Sequence, residues 1–219
     1  VGEYANLLTV PDELALLLHK PSGTSFVGAS PGAATAAAEV GELVLHGRLA
    51  LRGTAVQLRD ASSSGLPWLD QLMAQLQRVA GRDDRPVQLG WWLPLRSGAF
   101  ATHRSVLVER GVLRLERRKF LGVLPDDRYH PDRATRDALL AELHGLAQGE
   151  LPVDGRRALL GALVHRSGLD HALNLDRAER ARLRALADRA DLDDHVGSAV
   201  LAAELAMAVT PNAIVLADH

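Results

Sequence analysis

The chain has 219 residues, a net charge of −2 and no cysteine. That length suffices for one large domain or two small ones with a real core, and the absence of cysteine excludes disulfides and thiolate-held metals. A slightly acidic chain is also a poor overall match for nucleic acid, so any anion-binding role must sit in a local cluster. Hydrophobic residues make up 47% and aromatics 4%. The apolar residues are mostly Ala, Leu and Val, which favours helices packed through Leu and Ala. No signal-peptide pattern opens the sequence, and no uncharged apolar run reaches the ~18 residues needed to span a bilayer. The stretch from Val196 to Val209 comes nearest, and Glu204 interrupts it. A buried helix and a cytoplasmic location are expected.

In chain order, Thr9 is placed to cap a first helix whose opening turn holds Pro11, Asp12 and Glu13 and whose apolar face is Leu14, Leu17 and Leu18. Pro21-Ser22-Gly23 read as a turn. Ser30 and Pro31 suit the N-cap and first position of a second helix, with Ala36, Val40, Leu43 and Val44 on one stripe and Gly47 as its stop. Leu49 and Leu51, then Val56 and Leu58, alternate around Arg52-Gly53-Thr54 as a β-hairpin does. Ala61-Ser62-Ser63-Ser64-Gly65 is the most linker-like stretch. Pro67 opens a third helix with Leu69, Leu72, Met73, Leu76 and Val79 on one face. A charged loop follows over 81–86, then a short segment over 88–95. It contains Trp91-Trp92, which diverge by about 100° on a helix, so one faces the core and the other a neighbour or solvent.

The stretch from Ala99 to Tyr129 organises the rest. A helix carries Phe100, His103, Arg104, Val106, Leu107 and Arg110, Gly111 ends it, and Val112–Glu116 alternates as a strand. Arg117-Arg118-Lys119 are the expected turn, Phe120–Pro125 the return strand, and Asp126–Tyr129 close the unit. Between Arg104 and Lys119 there are six basic residues against two acidic ones. Such a cluster beside an apolar run suits an anionic surface, lipid or nucleic acid; a core hairpin with merely solvated arginines is the other reading. This helix–Gly–hairpin unit echoes the one at residues 42–51, which suggests a duplicated element.

Beyond His130-Pro131, read as a turn, a helix over 134–147 is amphipathic through Leu139, Leu140, Leu143 and Leu146. Asp154 and Asp176 are candidate caps for the next two helices, with Ser167-Gly168 between them, and the small-residue helix from Asp193 to Val209 is expected to be central. Nucleotide-binding glycine motifs, nucleophile elbows and paired-histidine metal motifs do not occur. Asp188, Asp191, Asp193, Asp194 and His195 read as a hard-cation site or as loop and cap residues. No catalytic residue, metal or cofactor is expected.

An ordered set of motifs resembles the Golgi phosphoprotein 3 family, in particular its bacterial branch. These are Leu8-Thr9-Val10 with Glu13 and Leu16-Leu17-Leu18; Thr24-Ser25-Phe26; and Glu42-Leu43 with Leu45, Gly47, Arg48 and Leu49. Further along come Trp92 with Leu95, Ser97 and Gly98; Val108-Glu109 with Gly111, Val112 and Leu113; His130-Pro131; and the run from Arg156 to Leu163. The resemblance implies one mainly α domain over residues 1–219, a helical bundle with one or two β-hairpins, one of them basic and protruding. It also implies a non-catalytic adaptor. Eukaryotic members bind phosphatidylinositol 4-phosphate on the cytosolic face of Golgi membranes, and the hairpin has been linked to self-association. At the family's lipid-pocket positions this chain carries Val27 for a Trp, Ala36 for an Arg, and Ser97 and Phe100 for two further arginines.

The expected contacts are therefore Arg96, Arg104, Arg114, Arg117, Arg118 and Lys119 with anionic phospholipid or phosphoinositide head groups, and Phe120, Leu121, Val123 and Leu124 with the membrane. Cytosolic segments of membrane proteins and a second copy are the other expected partners. A winged-helix-like nucleic-acid-binding protein, with Arg117-Arg118-Lys119 as the wing, is the alternative.

Overall fold

Asp12, on the opening turn of the first helix, reaches back to the Thr9 N–H (3.1 Å) and hydroxyl (2.7 Å), a local exchange that starts α1 (Val10–Leu17). The computed structural model describes residues 8–81, 85–120, 124–189 and 192–209. After a 3-10 turn (Val27–Ala29), Ser30 in the left-handed region and Pro31 begin α2 (Pro31–Leu45). Every residue of α2 from Ala33 to Val44 is buried. A helix buried all round is the axis of its bundle.

Gly47 ends α2 at φ +68°, its N–H donating to Val44 while that of Arg48 donates to Leu43. Gly111 ends a later helix, α5, in the same way at φ +73°, with bonds to Val108 and from Val112 to Leu107. Both are 6→1 and 5→2 closures that a positive-φ glycine permits, and each launches a strand. The duplicated element read from the sequence is thus present down to its hydrogen bonds.

After the first cap, β1 (Leu49–Arg52) and β2 (Ala55–Leu58) form the expected hairpin. The seryl stretch is pinned by Asp70, which accepts from the hydroxyls of Ser63 and Ser64 at 2.8 Å. In α3 (Pro67–Ala80), Leu69, Leu72, Met73 and Leu76 are buried and the inward face continues through Ala80, whereas Val79, expected on that face, is exposed. The short segment expected over 88–95 is three pieces: β3 (Val87–Gln88) paired with β2, then α4 (Leu89–Trp92), then a 3-10 turn (Leu93–Arg96). Two residues carry no alternation to reveal a strand. Of the tandem tryptophans, Trp92 is buried and Trp91 is 75% exposed.

Helix α5 (Ala99–Glu109) leads into a hairpin longer than expected. Strand β4 (Leu113–Glu116) is followed by β5 (Lys119–Phe120), β6 (Leu124–Pro125) and β7 (Arg128–Pro131), with β4 paired to β7 and β5 to β6. Arg117-Arg118-Lys119 are therefore not the turn. They lie along the arm, where the Asp126 N–H donates to the Arg118 carbonyl at 2.9 Å and the strand pairing continues past them to Phe120 opposite Leu124. An exposed ribbon keeps charges in water as well as a turn does, so charge alone misplaced the bend. His130, expected in a turn, is in β7 opposite Arg114.

Four helices and a short α8 close the bundle: α6 (Arg133–Gln148), α7 (Gly155–Arg166), α8 (Leu169–Ala172), α9 (Arg177–Ala187) and α10 (Asp194–Val209). Asp132, Asp154 and Asp176 each accept a backbone N–H at the start of α6, α7 and α9. Pro131-Asp132 thus hold the entry to α6. Helix α10 presents Ala199, Ala202, Ala203 and Ala206 to the interior and packs along α2. A Cβ on Gly41 of α2 would lie 2.6 Å from Leu159 and 3.2 Å from Ala203. Gly41→Leu is expected to lower stability by about 1–3 kcal/mol through overpacking, visible as a lower thermal midpoint; an unchanged midpoint would show that the three helices can part.

Candidate functional site

The basic hairpin is rooted in an aromatic cluster. Leu113 is buried beneath it, and the Tyr129 N–H donates to the Gly23 carbonyl at 2.8 Å. Gly23 sits at φ +85°, and a Cβ there would come within 2.9 Å of Arg128 Cβ, so the turn after α1 meets β7 only because it is glycine. The Arg104 guanidinium lies 4.0 Å from the centre of the Tyr129 ring and 5.7 Å from that of Phe100. His19 stacks on Phe100 at 5.1 Å and donates from Nδ1 to the Ala15 carbonyl at 2.7 Å. Burial lowers His19 to about 4, helped by nearby Arg104, so a neutral ring packs beside the cation.

Above the root, β4 and β7 turn Leu115 and Tyr129 to one face and Arg114, Glu116, Arg128 and His130 to the other. On the outer face Glu116 binds His130 at 2.8 Å and Arg118 at 3.6 Å, and Arg128 binds Asp126 at 2.7 Å. Arg114, Arg117, Arg118 and Lys119 are all exposed. The structure therefore gathers four of the six expected head-group cations on one arm. Arg104 is half-buried at the root, and Arg96 points into the protein, binding Glu39 through Nε at 2.9 Å with its side chain 11% exposed. Of the expected membrane residues, Phe120 and Leu124 pair through their backbones, and Leu121 and Val123 lie outside the described residues. Sequence reading missed Lys20, whose ammonium stands 5.1 Å from the centre of the Phe26 ring. A single Lys before Pro-Ser-Gly reads only as a turn.

Of the residues compared with a lipid pocket in the sequence resemblance, Val27 is exposed, Ala36 is buried and Phe100 is engaged with His19 and Arg104. Behind them runs a closed ionic chain. His103 in α5 bonds Asp12 of α1 through Nδ1 (2.7 Å) and Glu39 of α2 through Nε2 (3.3 Å), and Glu39 continues to Arg96. Trp68 of α3 meets the His103 ring edge-on at 4.7 Å. Burial opposes charge on His103, but the hydrogen bonds and charges of Asp12 and Glu39 outweigh it and raise the imidazole to about 9. The same bonds, with those from Thr9, hold Asp12 below its ordinary value against burial.

These shifts fix a pH profile. His103 is raised above its unfolded value, so its contribution is complete below about pH 6.5 and is lost as the pH climbs through about 9. Glu13, which burial raises to about 8 against the pull of Arg156, acts in the same direction. His19 acts oppositely, its contribution being lost as the pH falls from about 6.5 through about 4. Urea midpoints are expected to fall between pH 6.5 and 9 by the equivalent of roughly 3 kcal/mol or more. A flat alkaline limb would mean that His103 is neutral in the fold.

The acidic cluster near α10 acts through local bonds. Asp188 pairs with Arg166 at 2.9 Å, and Asp193 accepts from the backbone of His195 and Val196 at 2.9 Å; Asp191 lies outside the described residues. Among the described residues no group of His, Asp and Glu is placed to hold a metal ion, and no helix is long and apolar enough to cross a membrane. No curated protein matches the chain. A family model described as Golgi phosphoprotein 3 (GPP34) matches residues 10–208.

Proposed function

Because the chain belongs to the Golgi phosphoprotein 3 family, we propose that it is a non-catalytic adaptor that binds peripherally to an anionic membrane through the basic hairpin arm. The observation that supports this is the exposure of Arg114, Arg117, Arg118 and Lys119 beyond the point where the arm is rooted on the bundle. Each cation near an anionic leaflet contributes roughly 1 kcal/mol, enough in sum for reversible attachment. The ligand is the negative surface itself rather than a phosphoinositide held in a pocket. The family's arginine position is a buried Ala36, and Arg96 is already bound to Glu39. Partner segments of membrane proteins would then be presented at the cytosolic face.

Nucleic acid fits less well. The solvent-facing positions of α5 are Ala101, Ser105 and Glu109, none of them cationic, so the helix before the hairpin lacks the face a recognition helix needs. Vesicle flotation separates the readings. Binding is expected to phosphatidylglycerol vesicles, with release as salt screens the arm, and little to phosphatidylcholine vesicles. Equal binding to both lipids, or to neither while duplex DNA is retained, would overturn the proposal.

A further inference from the structure

We propose that Trp91 and Leu95 form a second membrane contact, an apolar foot seated in the interfacial zone of an anionic bilayer; this rests on the membrane reading above. Trp91 is 75% and Leu95 69% exposed, four residues apart on the segment formed by α4 and the following 3-10 turn. Between them Trp92 and Leu93 are almost wholly buried. The outward pair is thus carried by a segment clamped to the core, and its exposure is built into the fold. Trp91 also walls a cleft of about 540 Å³ together with Val79, Pro86 and Val87. The charged side chain on that wall is Arg85.

Charge identifies the occupant. From Arg85 to Val108 the sequence contains no Asp or Glu, and of its arginines Arg85 is exposed while Arg96 is held by Glu39 and Arg104 by the hairpin root. An apolar pair on an acid-free stretch of chain, with the exposed Arg85 on the wall beside Trp91, complements a negative leaflet, and indole is the side chain that favours the head-group boundary. The same stretch runs into α5, whose Phe100 and Arg104 pack at the hairpin root, so foot and arm belong to one continuous part of the chain. A second copy is a weaker occupant. Trp91 and Leu95 offer roughly 300–400 Å² between them, about half of the ~800 Å² per partner in a stable interface.

The test uses phosphatidylglycerol vesicles with brominated acyl chains, which quench tryptophan at the boundary. Trp68 and Trp92 are 4% and 1% exposed, so a change on binding reports Trp91. Quenching of the wild-type protein is expected, with its loss in Trp91→Phe although that variant still floats. Trp91→Ser combined with Leu95→Ser is expected to lower partitioning on the order of tenfold or more with the hairpin intact. Vesicle-bound protein without quenching, or quenching unchanged in Trp91→Phe, overturns the foot and leaves the arm standing. A dimer in sedimentation that the double serine variant dissolves assigns the patch to a second copy instead. Failure of the wild-type protein to float on any vesicle overturns both readings.

Discussion

Arg117→Glu combined with Arg118→Glu is expected to abolish binding to phosphatidylglycerol vesicles and to leave the thermal midpoint within about 1 °C of wild type. Both residues are exposed, and Arg118 pairs with Glu116 at 3.6 Å, with both side chains substantially in solvent. Exposed pairs of this kind contribute roughly 0–1 kcal/mol, so the fold loses almost nothing. The membrane term behaves differently. Two attractions of roughly 1 kcal/mol each are removed and two repulsions of similar size replace them, a change of about 4 kcal/mol, or nearly a thousandfold in partitioning. A variant that floats like the wild type would remove the arm from the mechanism. One that fails to float but also melts early would mean that the arm supports the bundle.

The parts of this molecule that sequence reading recovered are those where one residue type has one physical use. Asp132, Asp154 and Asp176 precede helices, and the latter two were readable as caps because a short carboxylate there answers orphan N–H groups. Gly47 and Gly111 were readable as stops because the backbone needs a positive φ. The hairpin's length was not readable, since Arg117-Arg118-Lys119 satisfy solvent equally well in a turn or on an exposed ribbon. The candidate site was half legible for a related reason. Four of its arginines and lysines are local in sequence, but their root is assembled from His19, Gly23, Phe100, Arg104 and Tyr129, which come from three separate stretches. Arg96 carries the sharpest lesson. Being basic and near the motif, it reads in the sequence as a surface cation, and only the tertiary packing reveals Glu39 waiting in α2. Nothing in the stripe Ala36, Val40, Leu43 and Val44 marks Glu39 as buried. It follows from α2 being enclosed on all sides, which a periodicity argument built on one apolar face does not anticipate.

That buried carboxylate sets the other large expected effect: Glu39→Ala should destabilise the protein by about 3–5 kcal/mol. Glu39 lies between Arg96 and His103, all three nearly or fully out of solvent. Its removal leaves a guanidinium and an imidazolium in the interior with only Asp12 to balance them, and a buried charge stripped of its partner is far costlier than the intact pair is stabilising. Two comparisons separate this from simple loss of volume. Glu39→Gln keeps the size and some hydrogen bonding but not the charge, and is expected to fall between wild type and Glu39→Ala in urea unfolding. Pairing Glu39→Ala with Arg96→Met removes both charges of one bond, and the double variant is expected to be more stable than Glu39→Ala alone. If Glu39→Ala unfolds within about 1 kcal/mol of wild type, the ionic chain does not hold α1, α2 and α5 together. The placement of Arg96 and of the neighbouring Trp91–Leu95 segment would then need another cause, because Arg96 closes the 3-10 turn that carries Leu95 and its bond to Glu39 fixes that turn against α2.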